Sequence, residues 1–245
     1  MRNFFEEFFA GIFIRSKEKS KILSSLISVF ARIFSGKIKM KRCVIIGAAK
    51  ISNYGKIREY LQPDDFFIVC DGGLDHLENL KIKPNLIVGD FDSHENPHLE
   101  VETIVLPHEK DDTDSVFALK TALSRGFKDF LFIGMLGGRL DHTLGNISML
   151  LKCNEEKVRA LMLDDYSELE IVGKEEVKIE DKFSYFSLLN VSGTAKGVTI
   201  KDALYNLDNA EIPVTYQYGV SNEVPKGKTA KVSVKKGCLL LIKDW

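Results

Sequence analysis

From Met40 onward, apolar residues gather into short runs separated by polar stretches with helical spacing. Residues 43–47, 66–70, 86–88, 103–106 and 130–133 are near-continuous apolar runs of strand length, and 86–88 reads as a short parallel strand buried on both faces. Between them, residues 54–61, 72–80, 113–124 and 140–152 carry helical periodicity. Pro63 closes the first of these and Pro84 follows the second. In the third, Val116, Leu119, Ala122 and Leu123 share a face, Asp111 to Asp114 supply N-cap and first-turn acids, and Gly126 supplies the stop. Strands alternating with helices predict an α/β fold with a doubly wound, mostly parallel sheet.

The rhythm changes near residue 155. Short β-rich runs follow at 160–163, 168–172, 175–179, 183–189, 197–200, 214–218, 229–234 and 238–242, punctuated by Gly, Asn and Asp. That pattern predicts a C-terminal antiparallel β-sandwich or barrel, of which the sandwich is the expectation carried forward. The expected organisation is therefore an α/β domain over 40–155 and a β-sandwich over 156–245. No low-complexity linker separates them, so close packing is expected.

Residues 1–39 differ in character, with eight basic residues against Glu6, Glu7 and Glu18, a local charge of +5. Phe4, Phe5, Phe8, Phe9, Ile12 and Phe13 fit an amphipathic helix, as do Ile22, Leu23, Leu26, Ile27, Phe30, Ile33 and Phe34. The segment reads either as a basic surface lying on a membrane or as a leader outside the core. The second is favoured, because residues 40–47 resemble an ordinary domain start. No apolar run approaches the roughly 18 residues of a membrane span, so stable membrane insertion is not expected. A secretory signal is equally unsupported, since Glu6 and Glu7 interrupt the early apolar part.

A net charge of -1 argues against nucleic-acid binding through bulk electrostatics. Cys43, Cys70, Cys153 and Cys238 lack CxxC spacing, which points to free thiols in a reducing cytoplasm rather than to zinc or disulfides.

Candidate chemistry lies in four acidic clusters, each placed after a strand or at the opening of a helix. In Val88-Gly89-Asp90-Phe91-Asp92-Ser93, Asp90 and Asp92 alternate and so point to one side of an extended chain. Crowded carboxylates are tolerated around a hard cation such as Mg²⁺. Alone, this is also an ordinary surface turn. Asp71-Gly72-Gly73 could bind metal or a ribose hydroxyl, its small residues letting a ligand approach the backbone, or it could simply cap a turn.

In Lys110-Asp111-Asp112-Thr113-Asp114, capping explains one or two acids. Asp114 is assigned to metal or the substrate hydroxyl, and Lys110 and Thr113 to phosphate. Gly137-Gly138-Arg139-Leu140-Asp141-His142 offers the Arg139 fork for phosphate, with Asp141 ligating metal or holding Arg139. His142 reads more simply as structural, while Asn146 is either a pocket lining or a packing residue. Neither a GxxxxGK[ST] loop nor a GxSxG elbow occurs. Acidic loops with Lys and Arg fit phosphoryl-type transfer.

Taken in order, these four clusters resemble those of the thiamine pyrophosphokinase (thiamine diphosphokinase) family. Gly219-Val220-Ser221-Asn222-Glu223 is similar to that family's G-x-S-N-E element. The resemblance covers about residues 40–245 and leaves the leader unmatched. It implies an α/β catalytic domain, a β-sandwich that binds vitamin B1, and a homodimer with sites between subunits. The implied reaction transfers pyrophosphate from ATP to the thiamine hydroxyl and releases AMP. Carried onto this chain, Asp71, Asp90, Asp92 and Asp114 become the expected Mg²⁺–ATP and catalytic acids, and Ser221 and Asn222 become thiamine-pocket residues. Leu74-Asp75 after the double glycine departs from the family's usual small residues. The rival readings are transfer to another alcohol, such as a pterin, and a silent nucleotide- or thiamine-sensing module.

Overall fold

A computed structural model describes residues 41–91, 99–109 and 111–245. The basic segment 1–39, Asp92 and Lys110 thus lie outside the described residues.

Five parallel strands and their helices come first. β1 (Cys43–Ile46) leads to α1 (Tyr54–Arg58) and β2 (Phe66–Cys70). A 3₁₀ helix (Asp71–His76) then runs into α2 (Leu77–Leu80) and β3 (Leu86–Gly89). β4 (Glu102–Val105) is followed by α3 (Asp114–Ser124), β5 (Asp129–Ile133) and α4 (Leu140–Glu155). Ile45, Ile68, Val88 and Phe132 face the core shared with α3 and α4. Val44, Val69, Leu131 and Ile133 face the core shared with α1 and α2. Apolar side chains are needed on both faces, which is why β1, β2, β3 and β5 read as unbroken apolar runs, whereas the edge strand β4 is exposed at Glu102 and Val105.

Nine further strands complete the chain. They are β6 (Arg159–Leu163), β7 (Ser167–Val172), β8 (Val177–Glu180), β9 (Tyr185–Leu189) and β10 (Ala195–Lys201), then β11 (Leu207–Glu211), β12 (Gly219–Asn222), β13 (Thr229–Gly237) and β14 (Leu239–Asp244). One ten-stranded sheet has the order β12-β9-β14-β7-β6-β5-β1-β2-β3-β4, and a second sheet has the order β11-β10-β13-β8. β6 pairs parallel with β5, and β7 then joins β6 antiparallel. The sheet therefore runs without a break past residue 155. Val172, Phe186, Leu188, Leu239 and Leu241 from its far end pack on Val198, Ile200, Val232 and Val234 of the small sheet. The result is a sandwich built onto the flank of a parallel sheet.

Two local expectations change. Residues 214–218 are a turn between β11 and β12, not a strand. Val214, Tyr216 and Tyr218 are exposed, whereas β11 is mostly polar outward and carries no apolar alternation to announce it. Residues 72–80 form no single α-helix either, because the segment is 3₁₀ as far as His76.

At the seam between the small-sheet core and the α1/α2 core, Lys243 is held 2.6 Å from Glu168 and 2.7 Å from Glu170, while the Tyr60 hydroxyl donates to Glu168. Burial disfavours the Lys243 ammonium, yet the two carboxylates outweigh it and raise its pKa. All four cysteines are free and buried, and burial pushes the Cys153 thiol up to about 12.

Candidate active site

In this strand order the chain runs outward from β1 through β2 and β3 to β4, then returns to place β5 on the other side of β1. The loops after β1 and β5 consequently diverge, and open α/β sheets bind ligands outside the carboxyl ends of strands at such a point. A cavity of about 590 Å³ lies there, lined by residues of the loops after β1, β2, β3, β4 and β5.

Asp71, Asp90, Thr113, Asp114, Arg139, His142 and Asn146 all line this cavity. Segments separated by up to 75 positions in the chain, from Asp71 to Asn146, are thus brought to one rim. Asp71 is almost fully buried, at 2% exposure. Asp90 Oδ2 lies 3.7 Å from His108 Nδ1, and the Asp90 side chain is only 10% exposed. Thr113 is the N-cap of α3, its hydroxyl oxygen accepting from the Val116 amide at 3.4 Å.

The glycines of Asp71-Gly72-Gly73 do more for the chain than for a ligand. A Cβ at Gly72 would lie 2.6 Å from the Ala48 Cβ, and one at Gly73 would lie 2.5 Å from the Ile46 carbonyl oxygen. The space expected for a ligand is largely filled by the chain's own loop after β1. The 3₁₀ helix is thereby pressed against that loop, which aims Asp71 into the cavity.

Arg139 and Asp141 form a two-pronged pair, Nε to Oδ1 at 3.2 Å and Nη2 to Oδ2 at 2.6 Å. The guanidinium hydrogen bonds hold the Asp141 carboxyl down to about 2. Of the two roles open to Asp141, the geometry favours holding Arg139, and Asp141 is not among the lining residues. Asn146 is buried and donates to the Met135 carbonyl at 2.8 Å, so its amide nitrogen secures the loop after β5.

Ser221 and Asn222 do not line the cavity. Ser221 is exposed in β12 with φ +58°. Asn222 is buried. Its carboxamide oxygen accepts from the Tyr205 and Glu223 amides at 3.0 and 2.9 Å, and its nitrogen donates to the Tyr205 carbonyl at 2.7 Å.

Lys50 and His108 also line the cavity, and the sequence reading missed both. Each lies in a loop directly after a strand, Lys50 after β1 and His108 after β4. Strand-end position was the usable signal, but without the strand order nothing ranks the loop after β1 above the others.

No group of three or more His, Cys, Asp and Glu side chains among the described residues could hold a metal. Mg²⁺ does not demand one, since it commonly keeps several waters and binds through one or two carboxylates plus substrate phosphates. The donors at this rim are carboxylate oxygens, which suit that ion.

Two family models match, in order along the chain: "Thiamin pyrophosphokinase, catalytic domain" over residues 57–162, and "Thiamin pyrophosphokinase, vitamin B1 binding domain" over residues 174–239. Together they cover more than half of the sequence. The chain belongs to the thiamin pyrophosphokinase family. A thiamine pyrophosphokinase of Bacillus subtilis is 27% identical over 213 residues, spanning 84% of this chain and 99% of that one. The crystal structure of thiamine pyrophosphokinase from Bacillus subtilis superposes with a TM-score of 0.72 at 26% identity, covering 83% of this chain and 99% of that one. The thiamin pyrophosphokinase structure from Geobacillus thermodenitrificans gives 0.70 at 26% identity, covering 83% and 97%. The family's catalytic match ends at Met162, so all but the last residue of β6, the strand that carries the parallel sheet past residue 155, falls inside it.

Proposed function

We propose that the chain transfers the pyrophosphoryl group of ATP to the hydroxyl of thiamine, giving thiamine diphosphate and AMP. The observation that carries this reading is the gathering of Asp71, Asp90 and Asp114 around one carboxyl-edge cavity within a chain of this family. Such transfer depends on positioning and charge neutralisation more than on covalent chemistry by the protein.

Asp71 and Asp90, with Asp92, would hold the metal, and Mg²⁺ when bound neutralises the polyphosphate tail. Arg139, fixed by Asp141, contacts phosphate oxygens, as does Lys110. Thr113 presents the amino end of α3 to the same anion. Asp114 or Asp71 orients the thiamine hydroxyl and takes its proton as the oxygen attacks the β-phosphorus. The bond from that phosphorus to the bridging oxygen breaks, and AMP leaves. Cationic thiamine is also drawn to a rim rich in carboxylates.

Ser221 and Asn222 belong to the thiamine pocket of a homodimer, facing the cavity of the second copy. Their separation from the cavity in one chain, together with exposed Val220, Tyr216 and Tyr218 beside them, supports this arrangement. Burial of every free cysteine suits a cytoplasmic enzyme. Among the described residues no helix is long and apolar enough to cross a membrane.

The deciding experiment incubates purified chain with ATP, Mg²⁺ and thiamine and follows thiamine diphosphate and AMP by mass spectrometry. Stoichiometric appearance of both is expected. Tight thiamine binding without AMP would turn the reading toward a sensor, and AMP formation with a pterin alcohol instead of thiamine would change the substrate.

A further inference from the structure

We infer that Lys50, held in place by His76, is a phosphate-binding residue of the cavity, an inference that rests on the pyrophosphoryl-transfer reading. Three sets of contacts fix the loop after β1. On one side, the Ala49 amide donates to the Gly134 carbonyl at 2.9 Å, tying the loop to the end of β5. On the other, Ala48 occupies the space that a side chain at Gly72 would need. Further along, the Asp165 carboxylate accepts from the Ser52 and Asn53 amides at 2.7 to 3.0 Å.

His76 closes the clamp. Its Nε2 lies 3.1 Å from the Ala49 carbonyl oxygen and its Nδ1 lies 2.8 Å from the Tyr54 hydroxyl. A carbonyl can only accept, so Nε2 carries the proton and donates. In the neutral ring Nδ1 is then the acceptor, and Tyr54 donates to it. The buried imidazole thus joins the 3₁₀ helix that begins at Asp71 to the loop that carries Lys50. A helix end and a loop are locked together, and Lys50 follows directly on the residue that His76 grips.

Charge at the rim gives the lysine its task. Five carboxylates line the cavity, those of Asp71, Asp90, Asp111, Asp112 and Asp114. Arg139 is already engaged by Asp141, and Lys120 is drawn 2.6 Å from Asp112. Lys50 is exposed at the cavity wall and makes no ion pair among the described residues. An ATP tail brings several more negative charges into this acidic space. A cation on a fixed backbone, with its ammonium uncommitted, stabilises that tail without a rearrangement.

The test compares wild type with Lys50→Met and Lys50→Arg. Binding of an ATP analogue with a methylene bridge between its α- and β-phosphorus is measured by calorimetry with Mg²⁺, and KM values for ATP and thiamine are measured by turnover. Losing one charge-assisted contact to phosphate is expected to weaken analogue binding and raise the ATP KM by about tenfold in Lys50→Met. The thiamine KM is expected to stay within about twofold, and Lys50→Arg to recover most of the loss. His76→Asn is expected to reproduce part of the defect when Lys50 is present and to add little in the Lys50→Met background, the mark of two residues acting through one contact. Unchanged analogue binding and ATP KM in Lys50→Met would overturn the assignment. Analogue binding that depends on Lys50 in a wild-type chain that makes no AMP would uphold the phosphate contact while removing the transfer reaction.

Discussion

Gly89 and Asp71 adjoin across the ends of β3 and β2, and a Cβ at position 89 would lie only 2.6 Å from the Asp71 Cβ. Gly89, the residue that opens the Gly-Asp-Phe-Asp-Ser stretch, thus makes room for the carboxylate of another loop. Gly89→Ala should displace Asp71 and cost about 1–3 kcal/mol of stability, as overpacking does. AMP formation should fall far more than the population of folded protein, a difference read by turnover alongside thermal unfolding.

Asp71→Asn keeps the side chain's size and removes its charge. Because Asp71 is buried at the rim and not in the apolar core, the unfolding temperature should change little. AMP formation should drop by about 10²-fold or more if the carboxylate acts on metal or proton, following the usual magnitude for such groups. Near-normal turnover would remove Asp71 from the machinery.

Burial, chiefly, lowers the His76 pKa below the usual histidine value, against the opposing pulls of the Ala49 carbonyl and Asp75. The folded state then binds a proton less readily than the unfolded state. Stability is full above about pH 6.5 and declines as pH falls below it, by about 1.4 kcal/mol per unit while only the unfolded chain is protonated. Urea unfolding at pH 7.5 and 5.5 should show this loss in wild type and a smaller one in His76→Asn.

Lys243 lies between Glu168 and Glu170 with its side chain 8% exposed. Lys243→Met would leave two carboxylates facing each other with no cation and should cost about 3–5 kcal/mol, the usual penalty for breaking a buried ion pair. Adding Glu168→Gln should return part of that loss. Chemical denaturation of the single and double variants checks the sign and the order.

Asn222→Ala should free the Tyr205 segment by removing three hydrogen bonds from a buried carboxamide. About 1–3 kcal/mol of stability is at stake for each backbone group left without a partner. The thiamine KM should rise while the ATP KM holds, which steady-state kinetics can separate.

How far each part was legible in the sequence follows from how local its cause is. The parallel strands were plain because burial on both faces demands unbroken apolar runs such as Cys43–Ile46. The start of α3 was legible because capping is decided within four residues, although the cap is the Thr113 hydroxyl and not one of the neighbouring acids that the sequence offers for it. β11 was not legible, since a strand whose outward side chains are polar has no pattern to show. Spacing alone leaves two roles for Asp141, and only the fold sets its carboxylate against the Arg139 guanidinium.

By itself the sequence determined the alternation of strands and helices as far as residue 155, the positions of the acidic loops and the family to which they belong, because periodicity and short motifs are written in neighbouring residues. Tertiary structure decided that β6 continues the parallel sheet, that the glycines beside Asp71 and Asp90 are filled by the chain's own atoms, and that Lys50 stands at the cavity wall. Those outcomes depend on which strands lie side by side. Hydrogen bonding and packing between residues far apart in the chain settle that, and no short window of sequence records it.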